Sequence, residues 1–447
     1  MAPVDRRQFL KGSTAIAAIG SLAGCREGDN GGGGNDGGGG GGGNDDGSGS
    51  DGGGETTGDS GGGGGFSGTV KVAYVGALSG PFGSNGQRVR DGFMLAADKV
   101  NNSDQFDFEI ETFQTDDEAS PENAVSNARR LLNEEDVDAF VAGESTSQAI
   151  AMSEFAASQD VLHMAPVTAS RDLSGQAYQD TTFHMSDNLD ELAAAAARTQ
   201  AEQINPTRIA GVMPDYAFGR KVWDAYQHFA EQEIEDFEIV ESVFPGFGQG
   251  DYQNEIQAVT SAEPDVVVSA LWAGDLITFI QQATEFGMFE DVPNYQSIGG
   301  VDLSAAEALG ADTVPDAMIS GPLYYPFYPD NEHNNQFVQN FRDEHDQIPL
   351  EANGCGYKAT IGMATGIAEA GSKETNAMID GLEGLEFESV EGTSRVRADD
   401  HKCIDPQLYV GRVGPVEDAE DFIGLSNIWP VDNNPEWSTN TETYGNA

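Results

Sequence analysis

The chain has 447 residues, with 75 Asp and Glu against 22 Lys and Arg, for a formal net charge of −53. Nucleic-acid phosphates are held by Lys/Arg footprints, so this balance disfavours such a partner. The carboxylates are spread along the whole chain rather than gathered in one cation-binding segment. That spread points to solvation in very high salt, where a Debye length of about 3 Å screens their repulsion.

The N-terminus reads Arg6-Arg7-Gln8-Phe9-Leu10-Lys11, then a small and apolar run from Thr14 to Ala23, then Gly24-Cys25. This is a basic region, a short apolar region and a processing site, and the run falls well short of the roughly 18–20 residues a membrane span needs. The paired arginines resemble a twin-arginine export signal, and Leu22-Ala-Gly-Cys25 resembles a lipobox that makes Cys25 a lipidation site. The alternative is a cleaved signal in which Cys25 is incidental. Residues 26–67 are almost entirely Gly, Asp, Asn and Ser and cannot bury apolar surface, so they read as a disordered tether. Its root-mean-square reach is roughly 35 Å. No Gly-Lys-Ser/Thr closes the glycine run, which removes a phosphate-loop reading.

Beyond Phe66 apolar runs alternate with helix-period segments. Strands are predicted at 70–76, 137–143, 161–167, 208–213, 237–244 and 266–271, and helices at 87–101, 121–133, 148–158, 189–204, 219–233, 252–261 and 276–286. Continuous β-branched runs such as Val266-Val-Val268 are expected of parallel strands covered on both faces, and the alternation argues for βαβ units in a doubly wound α/β sheet. About 380 residues exceed one such core, so two domains are expected. Ligands of open α/β sheets sit beyond the carboxyl ends of the strands. The segments there are 76–82, 143–147, 166–170, 214–218 and 272–275, rich in hydroxyls, glycine and aromatics. They suit a small polar solute held by hydroxyls and helix N-terminal amides and covered by aromatic faces.

At these residues the chain resembles the branched-chain amino acid-binding proteins of ABC importers, a type I periplasmic-binding fold. The resemblance covers most of residues 69–425 and rests on the order of several short stretches. They are Gly76-Ala-Leu-Ser-Gly-Pro-Phe-Gly83, Thr115-Asp-Asp117, Gly143-Glu-Ser-Thr-Ser147, Pro166-Val-Thr-Ala-Ser170 and Asp215-Tyr-Ala-Phe-Gly-Arg220, followed by Gly356-Tyr357, Arg397-Ala-Asp-Asp-His401 and Gln407-Leu-Tyr-Val-Gly411. It implies two doubly wound parallel-sheet lobes joined by a three-strand hinge, 69–187 with 325–395 and 188–324 with 396–430, and leaves 431–447 as a C-terminal tail. It implies an extracellular, lipid-anchored, monomeric importer component that captures a small polar solute (an amino acid, an amide or a urea-like compound) and delivers it to ABC permease subunits, with no cofactor. Joined to the acidity, it implies a haloarchaeal lipoprotein. Ser145, Thr146 and Ser147 would hold the solute's carboxylate or equivalent group, with Val167 and Thr168 beside them. The second lobe would contribute Phe218 and Trp272, with Asp215 and Tyr216, and the first loop Phe82 and Asn85. Two departures from the family pattern leave an amide, a urea-like compound or a carboxylate open beside an amino acid. Gly299 or Gly300 stands where a carboxylate often pairs with an ammonium, with Asp302 nearby, and Ala169 stands where threonine is frequent.

Other roles fit the same residues. Thr146, Ser147 and Thr168 can be helix caps, Trp272 a core residue and Asp215 a cap. Arg171 and Arg220 read as surface or interlobe ion-pair partners. Cys355 and Cys403 can form one disulfide, and no second His/Cys pair joins His401 and Cys403 to complete a zinc site, so no metal is expected. None of the six histidines falls in a nucleophile–base arrangement, and no Gly-x-Ser-x-Gly or His-Glu-x-x-His occurs, so an enzyme is not expected. The competing function is a ligand-sensing lipoprotein that signals to a membrane partner.

Overall fold

The computed structural model describes residues 66–438, apart from Pro81, Val301, Asp418, Glu420 and Asp421. Arg6, Arg7, Cys25, nearly all of the 26–67 tether and the end of the C-terminal tail lie outside the described residues. Among the described residues no helix is long and apolar enough to cross a membrane.

The first lobe begins with β1 (Gly68–Gly76), α1 (Gly83–Asn101), β2 (Phe108–Asp116), α2 (Pro121–Glu135), β3 (Ala139–Ala142), α3 (Thr146–Gln159), β4 (Leu162–Ala165) and β5 (Thr182–His184). The five strands form one parallel sheet in the order β2-β1-β3-β4-β5. Val72 to Val75 of β1 and all of β3 and β4 are buried, because helices cover both faces.

The chain then crosses to α4 (Leu189–Gln203), β6 (Arg208–Val212), α5 (Ala217–Glu233), β7 (Glu238–Val243), α6 (Gln253–Ser261), β8 (Val266–Ser269), α7 (Ala273–Glu285), α8 (Met288–Asp291), β9 (Tyr295–Ser297), α9 (Asp302–Leu309) and β10 (Met318–Ser320). A capping box starts α4: Asn188 accepts from the Glu191 amide while the Glu191 carboxylate accepts from the Asn188 amide.

After β10 the chain returns to the first lobe through α10 (Glu332–His345), α11 (Glu351–Ala370), α12 (Thr375–Leu382) and a small antiparallel sheet of β11 (Glu386–Ser389), β12 (Gly392–Val396) and β13 (Cys403–Ile404). It crosses a third time to β14 (Gln407–Pro415) and β15 (Ile423–Asp432). The second sheet has the order β15-β14-β10-β9-β8-β6-β7, parallel from β7 to β10 and antiparallel at β14 and β15.

α11 packs along α1 at a separation only glycine permits. A β-carbon on Gly92 would lie 2.0 Å from the Asn353 carbonyl oxygen, and one on Gly356 would lie 2.2 Å from that of Val89. Asn353 Nδ2 adds a hydrogen bond to the Arg88 carbonyl at 2.9 Å.

Candidate functional site

In each sheet the strand order reverses direction once, and the loops at that switch open outward beyond the carboxyl ends. In the first lobe the switch lies at β1 and β3, in the second at β6 and β8. The two openings face one another, and the Phe82 ring, after β1, stacks on the Trp272 indole, after β8, with centroids 5.2 Å apart and planes 25° apart.

On the first-lobe side, Ser145 caps α3: its Oγ accepts from the Gln148 amide at 3.4 Å and donates to Gln148 Oε1 at 2.9 Å. Thr146 and Ser147 open the helix, where amides lack intrahelical partners, and Ser147 is exposed. Behind them Glu144 is enclosed by the end of β1. Its carboxyl meets the Tyr74 hydroxyl and accepts from the Ala77 amide at 3.3 Å. Burial, opposed by the Tyr74 hydrogen bond, pushes it up to about 8, so it is a neutral acid at pH 7. Gly86 leaves room for it, since a β-carbon there would fall 2.9 Å from Glu144 Oε1. Asn85 is half-buried and donates its amide to the Phe82 carbonyl at 3.0 Å, which holds the loop that carries the ring. Val167 and Thr168 are buried. The Thr168 amide donates to Ser186 Oγ at 3.0 Å, and its carbonyl accepts from Ser186 Oγ at 3.1 Å and sits 2.7 Å from His184 Nε2. The backbone of Thr168 is therefore committed to the first crossing, and its hydroxyl accepts from the Ser170 amide at 3.5 Å.

On the second-lobe side, Asp215 is exposed and paired with Arg220 at 2.6 Å. Tyr216 Oη accepts from Trp272 Nε1 at 2.8 Å, and the Phe218 ring stacks on Tyr216 with centroids 5.8 Å apart. Trp272 is half-buried and belongs to no core cluster, so it is a cleft residue rather than a core one. Phe247, on the loop after β7, lies 5.8 Å from the Tyr216 ring and 6.0 Å from that of Trp272. The sequence reading missed Phe247. The signal was its place just after a predicted strand, at 237–244, where the strand-end loops of an open sheet carry ligand contacts. Asp302 opens α9, fully buried, and accepts from Ser320 Oγ at 2.8 Å; burial pushes its carboxyl up to about 6. A β-carbon on Gly299 would lie 2.8 Å from Asp302 Oδ1 and 3.6 Å from Trp272 Cβ, so this carboxylate sits behind Gly299.

Contacts across the cleft place the lobes together. Arg88 pairs with Glu307 at 2.9 Å, Lys221 with Asp172 at 2.8 Å, and Glu351 accepts from the Leu303 amide at 2.7 Å. Arg171, read from sequence as a surface or interlobe partner, is buried and paired with Asp190 at 3.1 Å; Arg220 pairs within its own lobe. The disulfide expectation is corrected: Cys355 and Cys403 are both buried free thiols. They pack as small apolar side chains in the main core, where desolvation pushes both thiols up. His401 is structural, its ring stacked on Phe183 at 4.1 Å.

The crossings hold a buried ionic group that sequence reasoning missed, because its members are far apart in the chain. Lys358 on α11 bridges Glu391 and Asp405, Lys402 pairs with Glu191 at 2.9 Å, and Asp187 completes the group. Carboxylate oxygens of Asp187, Glu391 and Asp405 lie within 4.8 Å of one another, an arrangement able to hold a cation. The Lys358 ammonium supplies that positive charge.

The profile of a family described as periplasmic binding protein matches residues 69–419. The leucine-, isoleucine-, valine-, threonine- and alanine-binding protein of Pseudomonas aeruginosa is 22% identical over 333 residues, which cover 72% of this chain and 84% of that one. An amino acid ABC transporter substrate-binding protein of Pseudomonas fluorescens has the same fold, with a TM-score of 0.75 at 18% identity, covering 83% of this chain and 98% of that one. So does a solute-binding protein of an ABC transporter from Rhodopseudomonas palustris, solved with 3,4-dihydroxybenzoic acid, with a TM-score of 0.70 at 18% identity and coverage of 82% and 99%.

Proposed function

The chain belongs to the periplasmic binding protein family, and from that premise we propose that it is the extracellular substrate-binding component of an ABC importer. It captures a small solute between its lobes, hands it to the permease and carries out no chemistry on it. The observation that carries this reading is the stack of Phe82 on Trp272, which joins the strand-end loops of both lobes over one cleft. A solute that touches both loops binds the closed form better than the open one, and that difference in affinity shifts the population toward closure. Ser145, Thr146 and Ser147 take its polar end, Val167 and Thr168 flank them, and Phe82, Asn85, Asp215, Tyr216, Phe218 and Trp272 surround the rest.

We divide the lobes as 69–187 with 325–404 and 188–324 with 405–430, which moves the third crossing from 395/396 to beyond Ile404 because β13 pairs with β12. The names of the relatives support amino acids as one ligand class, and the dihydroxybenzoic acid complex supports aromatic acids as another. Calorimetry and X-ray scattering in molar KCl, against amino acids, amides, urea and small carboxylic acids, test capture. One solute that binds and compacts the chain is expected; no binding and no compaction by any would refute capture.

The anchor belongs to the same proposal. Arg6 and Arg7 direct export, Cys25 carries lipid, and residues 26–67 hold a monomeric domain off the outer face of the membrane. Cys25→Ser is expected to release the protein into the medium, whereas unchanged membrane retention would rule out the lipid.

A further inference from the structure

We propose that Glu351 is a latch between the lobes, a first-lobe carboxyl that docks on the start of α9 in the second lobe and makes closure of the cleft favoured by acid. The inference rests on the capture reading above and names a control on the closing motion of that cleft.

Glu351 is the first residue of α11 and is fully buried. Its Oε1 accepts from the Leu303 amide at 2.7 Å, and its Oε2 lies 3.3 Å from Ser304 Oγ. Leu303 and Ser304 belong to the first turn of α9, where amides have no carbonyl of their own helix to meet. A side chain that satisfies such an amide normally comes from the residue just before the helix. Here it comes from the other lobe, 48 residues further along the chain. The bond therefore exists only while the lobes are together, and opening the cleft returns both the amide and the carboxyl to water. The Arg88–Glu307 pair ties α1 to the same helix, but the Glu307 side chain is 62% exposed and molar salt screens it. Glu351 is the enclosed contact of the two.

The charges that face Glu351 set the direction of the effect. From α9 come Asp302, fully buried, and Glu307; from α1 comes Arg88, whose guanidinium is engaged by Glu307. Along α11 the nearest charge is Lys358, held by Glu391 and Asp405. Burial pushes the Glu351 carboxyl up from 4.5 to about 7; its own amide and that of Leu303 oppose the rise, Asp302 adds to it and Arg88 opposes it. With the lobes apart the carboxyl meets water and falls back toward 4.5, so the closed form holds the proton more tightly than the open one. Closure has the whole of that gain below about 4.5 and loses it as pH rises through about 7. The protonated acid keeps the latch made, because its carbonyl oxygen still accepts from Leu303 and its hydroxyl can donate to Ser304 Oγ.

X-ray scattering from the solute-free chain in molar KCl, between about pH 5 and pH 8, reads closure directly. The native chain is expected to be more compact at the acid end, its ratio of closed to open forms falling by up to about tenfold per pH unit. Glu351→Gln still accepts from Leu303 but cannot titrate, so it is expected to keep the native acid-end compactness across the whole range. Glu351→Ala removes the contact and is expected to be more open than the native chain at the acid end. Thermal melts show which variants fold, and Glu351→Gln carries the test alone if the alanine variant does not. A native chain whose compactness ignores pH, or a Glu351→Gln curve that follows the native one, overturns the latch. Capture is read separately, by adding amino acids, amides, urea and small carboxylic acids at the alkaline end. Compaction by one of them beside a flat pH response leaves capture standing and removes the latch. A native chain that responds to pH through Glu351, yet is neither bound nor compacted by any solute, keeps the latch and refutes capture.

Discussion

Glu144 shows how a residue inside a polar loop can be chosen for its neutral form. Its carboxyl is enclosed between the ends of β1 and β3, burial raises it from 4.5 to about 8, and the Tyr74 hydroxyl is its main partner. An acid whose folded value lies above its unfolded one takes up a proton on folding, so its contribution is complete below about 4.5 and is lost as pH rises through about 8. Within that window each pH unit removes at most about 1.4 kcal/mol. Thermal melts from pH 5 to 9 at fixed molar salt are expected to show the native chain losing stability relative to Glu144→Gln as pH rises. Parallel curves would show that the group is not buried as described. The sequence placed Glu144 between the right neighbours but did not single it out, because its shift comes from burial by segments distant in the chain.

At the scale of elements, the pairing of α1 with α11 decides how the returning segment is seated on the first lobe. The two helices are far apart in sequence, Gly83–Asn101 against Glu351–Ala370, and Gly92 and Gly356 let their backbones touch. Gly356→Ala is expected to destabilise the fold by roughly 1–3 kcal/mol, because its β-carbon would strike the Val89 backbone rather than a movable side chain. Gly274→Ala, with open space around it, is the control and is expected to be neutral or slightly stabilising in urea denaturation. Equal effects of the two would mean the helices are not in close contact. Strands with long apolar runs were legible in the sequence. β2 was not among the predicted strands, as it is an edge strand whose Glu109 and Glu111 break the apolar run, and β5, β9 and β10 have only three residues each. No periodic signal survives in three residues, and these strands exist because a neighbouring strand offers a ladder.

For the whole molecule, the net charge of −53 makes compactness depend on the solvent. At 0.1 M salt the Debye length is about 10 Å and the carboxylates repel across the surface, whereas above 1 M it falls below about 3 Å. The melting temperature is expected to rise steeply between 0.1 and 2 M KCl and then level off. Calorimetric melts that do not change over that range would contradict the high-salt reading. Closure belongs to this scale too, since the lobes already touch through Phe82 and Trp272 and through the Arg88–Glu307 pair, and a guest has only to favour that arrangement.

The sequence by itself determined the α/β alternation, the strand-end loops and the family. It did so because periodicity and local motifs are written in neighbouring residues. Only the tertiary structure decided which of those residues meet: that Trp272 faces Phe82, that Phe247 joins them, that Thr168 is tied to the first crossing, and that Cys355 and Cys403 are enclosed as free thiols. Each of these depends on contacts between segments far apart in the chain, and spacing along one segment carries no record of what another segment will place against it.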